Sequence, residues 1–175
     1  QAAKSLLDAA GYGDRNGDGV REGPDGKVLN LRFSVRSDNA REVKAGQMIQ
    51  GYLKDVGIAT RLSTVDDGAL QDSINGADYD MFIWGWGGDV DPTTLLAILT
   101  TDQIGGNNEP RWSDPEYDDL VKRQASILDA KERKTMVDEA QRLAYEAAPY
   151  IILAYDGDIQ AVRKDKIQGF IRVAG

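Results

Sequence analysis

The sequence predicts an α/β fold, a parallel or mixed sheet flanked by helices. Three observations predict it. Residues 28–36 (VLNLRFSVR) alternate apolar and polar side chains, the two-residue period of a half-buried strand. Residues 40–56 repeat apolar side chains at spacings of three and four, the period of an amphipathic helix. A second apolar run, 58–65, begins directly after Gly57, so strand and helix alternate through short connections.

Each element has its own signature. AAKSLLDAA at 2–10 reads as a short helix stopped by Gly11 and Gly13. In the first strand Leu29, Leu31, Phe33 and Val35 share the inner face. The following helix presents Ala45, Met48, Ile49, Tyr52, Leu53 and Val56 as one stripe, expected to pack on the sheet. Residues 66–75 form a short helix with Leu70 and Ile74 four apart, and 79–86 is a third strand dense in aromatic and β-branched residues. Asp91-Pro92 and Asp114-Pro115 pair a helix-capping carboxylate with a proline that has no N–H to lose. Asp129 and Glu132 have the spacing of a capping box ahead of a helix over 130–147, whose stripe is Met136, Val137, Ala140, Leu143, Ala144 and Ala147. Pro149 closes it, and 150–155 and 159–162 are expected to be strands.

Composition removes several classes of function. The 175 residues include no histidine and no cysteine, which excludes Ser-His-Asp and Cys-His catalysis, His- or Cys-ligated zinc and disulfides. A net charge of −8 without a basic run argues against nucleic acid as a partner. No apolar stretch approaches the 18 or so residues that a membrane helix needs. The length supports one substantial core, so 1–175 is expected to be a single lobe. With no initiator Met and no leader-like start, the chain reads as an internal piece of a longer protein.

Two loops carry chemistry. Asp14, Asn16 and Asp18 place oxygen side chains at positions 1, 3 and 5 of a loop with Gly19 at position 6. Val20 would offer a carbonyl at 7, Glu22 stands at 9 and Asp25 at 12. A hard cation needs six to eight oxygens around one point, and alternate residues of a tight loop supply them, so a structural calcium is one reading. An acidic turn held by its own Asx hydrogen bonds is the other. Asp25 is shorter than the usual bidentate Glu, and a strand follows instead of a second helix. The second is DMFIWGWGGDVDP at 80–92, a strand running into glycines and then a capped helix. Ligands of open parallel sheets lie beyond the carboxyl ends of the strands, where Trp86 and Asp89 fall. A Trp face and a carboxylate suit an organic cation. The alternative is that Trp84 and Trp86 are core and Asp89 a solvated turn residue.

The segments DYDMFIWGWGGDVDPTTLL, GGNNEPRWSDPEYDDLVKRQ and ERKTMVDEAQRLAYEAAPYIILAY, with the opening LLDAAGYGDRNGDGVREGPDGKVLNLRFSV, resemble the C-terminal lobe of family 5 extracellular solute-binding proteins. These are the dipeptide, oligopeptide and nickel binding components of ABC importers. The resemblance implies one lobe of a type II periplasmic-binding-protein fold, an extracytoplasmic location, and a small solute of the peptide class held in a cleft against an N-terminal lobe. It also implies membrane subunits of a transporter as partners, and no enzymatic activity. In peptide-binding members the acidic residue after the Trp turn pairs with the peptide's α-ammonium; carried over, that is Asp89, beside Trp86. Asn108, ahead of Trp112-Ser113-Asp114-Pro115, also matches a family position and becomes a third ligand candidate. Two other classes compete. One is a calcium-stabilised extracellular scaffold domain, read from 14–25 alone. The other is a carboxylate-dependent glycoside hydrolase using Asp89 and Asp91.

Overall fold

A computed structural model describes residues 1–89, 91–155, 163, 165–166 and 169. Within the span read from length as one lobe, two compact units form, Gln1–Trp86 and Gly87–Gly175, each with its own buried core.

The first unit runs α1 (Ala2–Ala9), β1 (Asn30–Arg36), α2 (Ala40–Asp55), β2 (Ala59–Val65), α3 (Asp67–Asn75) and β3 (Met81–Phe82). Its three strands are all parallel, in the order β2-β1-β3, with Asn30 opposite Ala59 and Phe33 opposite Met81. Central β1 buries Phe33 and Val35, as its alternation requires, and α3 adds Leu70 and Ile74 to the same core. β3 is much shorter than the 79–86 run. Its entry is replaced by a side chain, since the Arg32 N–H donates to Asp80 Oδ2 at 2.7 Å and the guanidinium binds both Asp80 oxygens at 3.1 Å. Its exit runs into Gly85, Gly87 and Gly88, which offer nothing to pack.

The stripe of α2 is rotated from its expected position. The buried residues are Glu42 and Gly46, while Met48 and Tyr52 are exposed, at 49% and 63%. Gly46 sets the rotation: a Cβ there would stand 3.0 Å from Val35 Cγ1 and 3.1 Å from Leu62 Cδ1, so the helix backbone lies against the sheet. Buried Glu42 is acceptable because it is paired. Arg36 holds it through Nε at 3.1 Å and through Nη2, and Asn39 Nδ2 donates to it at 2.9 Å. The helix ends in a Schellman motif: Gly57 N–H donates to Lys54 O at 3.0 Å and Ile58 N–H to Leu53 O at 2.9 Å, with Gly57 at φ +87°.

The second unit contains α4 (Pro92–Ala97), a 3-10 turn (Thr101–Gln103), α5 (Pro115–Gln124) and α6 (Ala130–Ala147). The three expected caps are present. Asp91 accepts from Thr93 N, Asp114 from Glu116 N and Tyr117 N, and Asp129 from Glu132 N. Leu96, Leu99, Tyr117, Val121, Val137 and Ala140 form the core, with Trp112, Leu143 and Ala144 packed on it. Ala147, assigned to the inner stripe, is exposed, because α6 closes at Ala148 in the left-handed region (φ 49°). Residues 150–155 do not form a strand. Ile151, Ile152, Leu153 and Tyr155 are exposed, and no strand pairs with them among the described residues. The run 159–162 lies outside the described residues.

Candidate functional site

The 14–25 loop is closed at its base by a two-way backbone pair, with Gly13 N–H to Glu22 O at 3.2 Å and Glu22 N–H to Gly13 O at 2.8 Å. Inside it, Asp14 Oδ1 accepts from Gly17 N at 2.7 Å and Oδ2 from Gly19 N at 2.9 Å. Asn16 Oδ1 accepts from Asp18 N and Asp18 Oδ1 from Val20 N, both at 2.8 Å. Glu22, only 7% exposed, returns its carboxylate to Arg15 N at 2.9 Å. Carboxylate oxygens of Asp14, Asp18 and Glu22 all lie within 4.8 Å of one another. Each carboxylate has about four lone-pair positions, so the turn bonds leave acceptors over, and the donor set is the all-oxygen kind that suits calcium. Asn16 stands at the rim, its Nδ2 donating to Asp18 Oδ2 at 3.1 Å. Asp25 does not belong to this cluster. Its carboxylate turns to Lys27, accepting from the backbone N at 3.1 Å and pairing with Nζ at 3.0 Å, and the Lys27 bond holds its carboxyl below the usual range. Glu22, at position 9, lies together with Asp14 and Asp18, where Asp25, at position 12, does not.

In the first unit the two tryptophans differ. Trp84 is half-buried, and the Arg36 guanidinium stands 5.0 Å from its ring centroid, a cation–π distance. Trp84 is therefore a packing residue of the sheet's carboxyl end. Trp86 is 44% exposed and ends the unit. The Arg36 cluster was not legible as such, since an alternating strand assigns Arg36 to solvent.

In the second unit Asp89 is exposed, and its Oδ1 accepts the Asp91 N–H at a long 3.4 Å. Asp91 is engaged from two sides. Besides capping α4, it takes Arg133 Nη2 at 2.7 Å on Oδ1 and 2.9 Å on Oδ2. The Arg133 bond, with those from Thr93, holds its carboxyl far below the ordinary range. Arg133 also donates through Nη2 to Thr93 Oγ1 at 2.9 Å and through Nε to Gln124 Oε1 at 3.0 Å. Gln124, fully buried, returns Nε2 to Thr93 Oγ1 at 2.9 Å. Arg133 and Gln124 carry no sequence motif and were missed; the signal available was their place on facing helices.

Asn108 is not placed to meet a ligand. It is 1% exposed, and its Nδ2 faces Leu99 O (3.1 Å), Thr100 O (3.0 Å) and Trp112 O (2.8 Å), while Oδ1 accepts from Trp112 N at 3.2 Å. It ties the 99–112 loop to the start of α5. Trp112 packs edge-on to Tyr117 at 4.9 Å, and buried Tyr117 donates to Leu96 O at 2.6 Å.

Comparison with known proteins matches these observations to a family. Residues 1–107 match the profile of the bacterial extracellular solute-binding proteins, family 5, middle region. Di/tripeptide-binding protein 3 of Pseudomonas aeruginosa is 32% identical over 89% of this chain, which covers 30% of that protein. The Bacillus subtilis oligopeptide-binding protein AppA, solved with a nonapeptide, superposes with a TM-score of 0.79 at 29% identity, over 85% of this chain and 30% of AppA. A mannohexaose-bound periplasmic oligopeptide-binding protein of Thermotoga maritima gives the same TM-score at 24% identity, covering 89% of this chain and 30% of that one, and shows the fold alone. The chain spans about a quarter to a third of the length of the curated relatives it matches. The α/β architecture is that of the type II periplasmic-binding proteins. With more than half of its residues matched, the chain belongs to the bacterial extracellular solute-binding proteins of family 5.

Proposed function

We propose that this chain is part of the substrate-binding component of a peptide-type ABC importer. It acts outside the cytoplasm, holds its solute against an N-terminal lobe, delivers it to transporter membrane subunits, and catalyses no reaction. The observation that carries this reading is the family match over residues 1–107, joined to relatives near 30% identity that are named as di- and tripeptide-binding proteins. Asp89 is the partner of the peptide's α-ammonium, and Trp86 offers an exposed ring to the solute; their exposure supports both roles. Calorimetric titration of the intact binding protein with di- to nonapeptides tests it. Binding that weakens on Asp89→Ala is expected. Peptide binding unchanged by that substitution would refute the role of Asp89, and absence of binding to any peptide would refute the peptide class.

We further propose one structural calcium on Asp14, Asp18 and Glu22, with Asn16 and the Val20 carbonyl completing the oxygens. The convergence of three carboxylates supports it. The ion would sit remote in sequence from Asp89 and would stabilise the loop without joining solute recognition.

A further inference from the structure

We propose that Arg133 is a positioning residue for solute binding: by clamping Asp91 at the start of α4 it fixes the carboxylate of Asp89, and so sets affinity for a solute ammonium. This rests on the reading of Asp89 above. The chain of contacts is short and lies wholly in the second unit. Arg133 Nη2 holds both oxygens of Asp91. Asp91 is the cap of α4, so its backbone is held from inside the helix as well. Its N–H is the donor that Asp89 Oδ1 accepts, at 3.4 Å. The far end of the clamp is rigid, because Arg133 Nε and Thr93 Oγ1 both meet the side chain of Gln124, which has no exposed surface.

The arrangement answers a physical problem. A carboxylate on a loop that follows Gly85, Gly87 and Gly88 has many orientations, and ordering it on binding costs affinity. Fixing the residue two positions on removes part of that cost before the solute arrives. Asp91 is also an anion that could compete with Asp89 for an ammonium. Arg133 satisfies it through both oxygens.

The test is a double-mutant cycle in the intact binding protein, with trialanine as probe and calorimetry well below the melting temperature of each variant. Arg133→Ala should weaken trialanine binding about tenfold, the scale of loosening one charge-assisted hydrogen bond. Asp91→Ser, which keeps a helix cap but is too short to reach the guanidinium, should do the same and covers the case in which Arg133→Ala fails to fold. In an Asp89→Asn background neither substitution should weaken binding further, because the group they position is no longer an anion. Losses that persist unchanged in that background would make the clamp merely structural and overturn the proposal. Loss on Asp89→Asn with none on either clamp variant would overturn it while leaving Asp89 as the ammonium partner. No trialanine binding by the parent, or none lost on Asp89→Asn, would refute the underlying reading and this inference with it.

Discussion

Replacing Asn108 with Ala separates a clamp from a ligand contact. The side chain is buried and faces three carbonyls, with one N–H accepted in return. Thr100 O keeps a second donor, Gln103 N at 3.0 Å, so its loss is small. Leu99 O, Trp112 O and Trp112 N lose a partner outright. At about 1 kcal/mol net per hydrogen bond, with some return from water entering the space, the expected loss of stability is about 2–4 kcal/mol. With a urea m-value of about 2 kcal/mol/M, the unfolding midpoint should fall by about 1–2 M. Asn108→Asp should be no milder, since it keeps the acceptor for Trp112 N but turns a negative oxygen toward three carbonyls. Solute affinity of the folded protein should change little. A variant of unaltered midpoint with weakened peptide binding would refute the clamp and restore Asn108 as a ligand contact.

Gly46→Ala should destabilise by about 1 kcal/mol in urea melts: helix propensity gains about 1 kcal/mol, but a Cβ at 3.0–3.1 Å from Val35 and Leu62 costs more, overpacking being about 1–3 kcal/mol. A more stable variant would show that these neighbours yield freely. Ala148→Gly should stabilise by about 0.5–1 kcal/mol, since alanine at φ 49° is strained and glycine is not; a loss would mean that the left-handed cap is not kept in solution. Calcium at a hundredfold excess over its Kd should raise the melting temperature by roughly 5–10 °C relative to chelator, and Asp18→Asn should abolish the difference; identical melts would refute the metal site. The Asp91–Arg133 pair gives a pH dependence of known sign. Asp91's carboxyl is depressed in the folded state, so its stabilisation is complete above the ordinary carboxylate value of about 3.9 and is lost as pH falls below it. Asp91→Ser should flatten the acid limb of a stability–pH curve, and an unaltered limb would count against the pair.

Local rules made much of the fold legible. β1 alternates, α3 carries two buried residues one turn apart, and the three caps read from the sequence, Asp91, Asp114 and Asp129, all reach helix N–H groups. What failed depended on a third party. The α2 stripe is correct in period and shifted in phase: Ala45, Ile49, Leu53 and Val56 stay half-buried while Met48 and Tyr52 face out, because the close approach at Gly46 and the Arg36–Glu42 pair decide which face turns inward, and an apolar count ranks both as outward. Residues 79–86 have strand composition, yet a side chain at Asp80 takes a ladder donor and the glycines end the pairing. In the calcium-like loop the spacing named Asp14, Asp18 and Glu22, whose carboxylates lie close together, and Asp25, whose carboxylate turns instead to Lys27, an ordinary ion pair two residues away that spacing rules do not weigh. Asn108 shows the same limit from the other side. A polar residue at a family position was read as facing solute, and only burial reveals that its amide is satisfied by the backbone.

Asp89 and Asp91 show why two carboxylates on one loop do not make a catalytic pair. A glycosidase of the two-carboxylate kind needs one group held protonated at working pH, which requires an environment that disfavours its charge. Asp91 has the opposite environment: a guanidinium on both oxygens and the first turn of a helix behind it, all favouring the anion. Removing Arg133 would relax that bias but would not create the apolar surroundings that raise a carboxyl, because half of the Asp91 side chain is exposed. No histidine exists in the chain to serve instead. Asp91 therefore cannot be the acid of such a pair: its surroundings hold it as an anion, with no proton to give a leaving group.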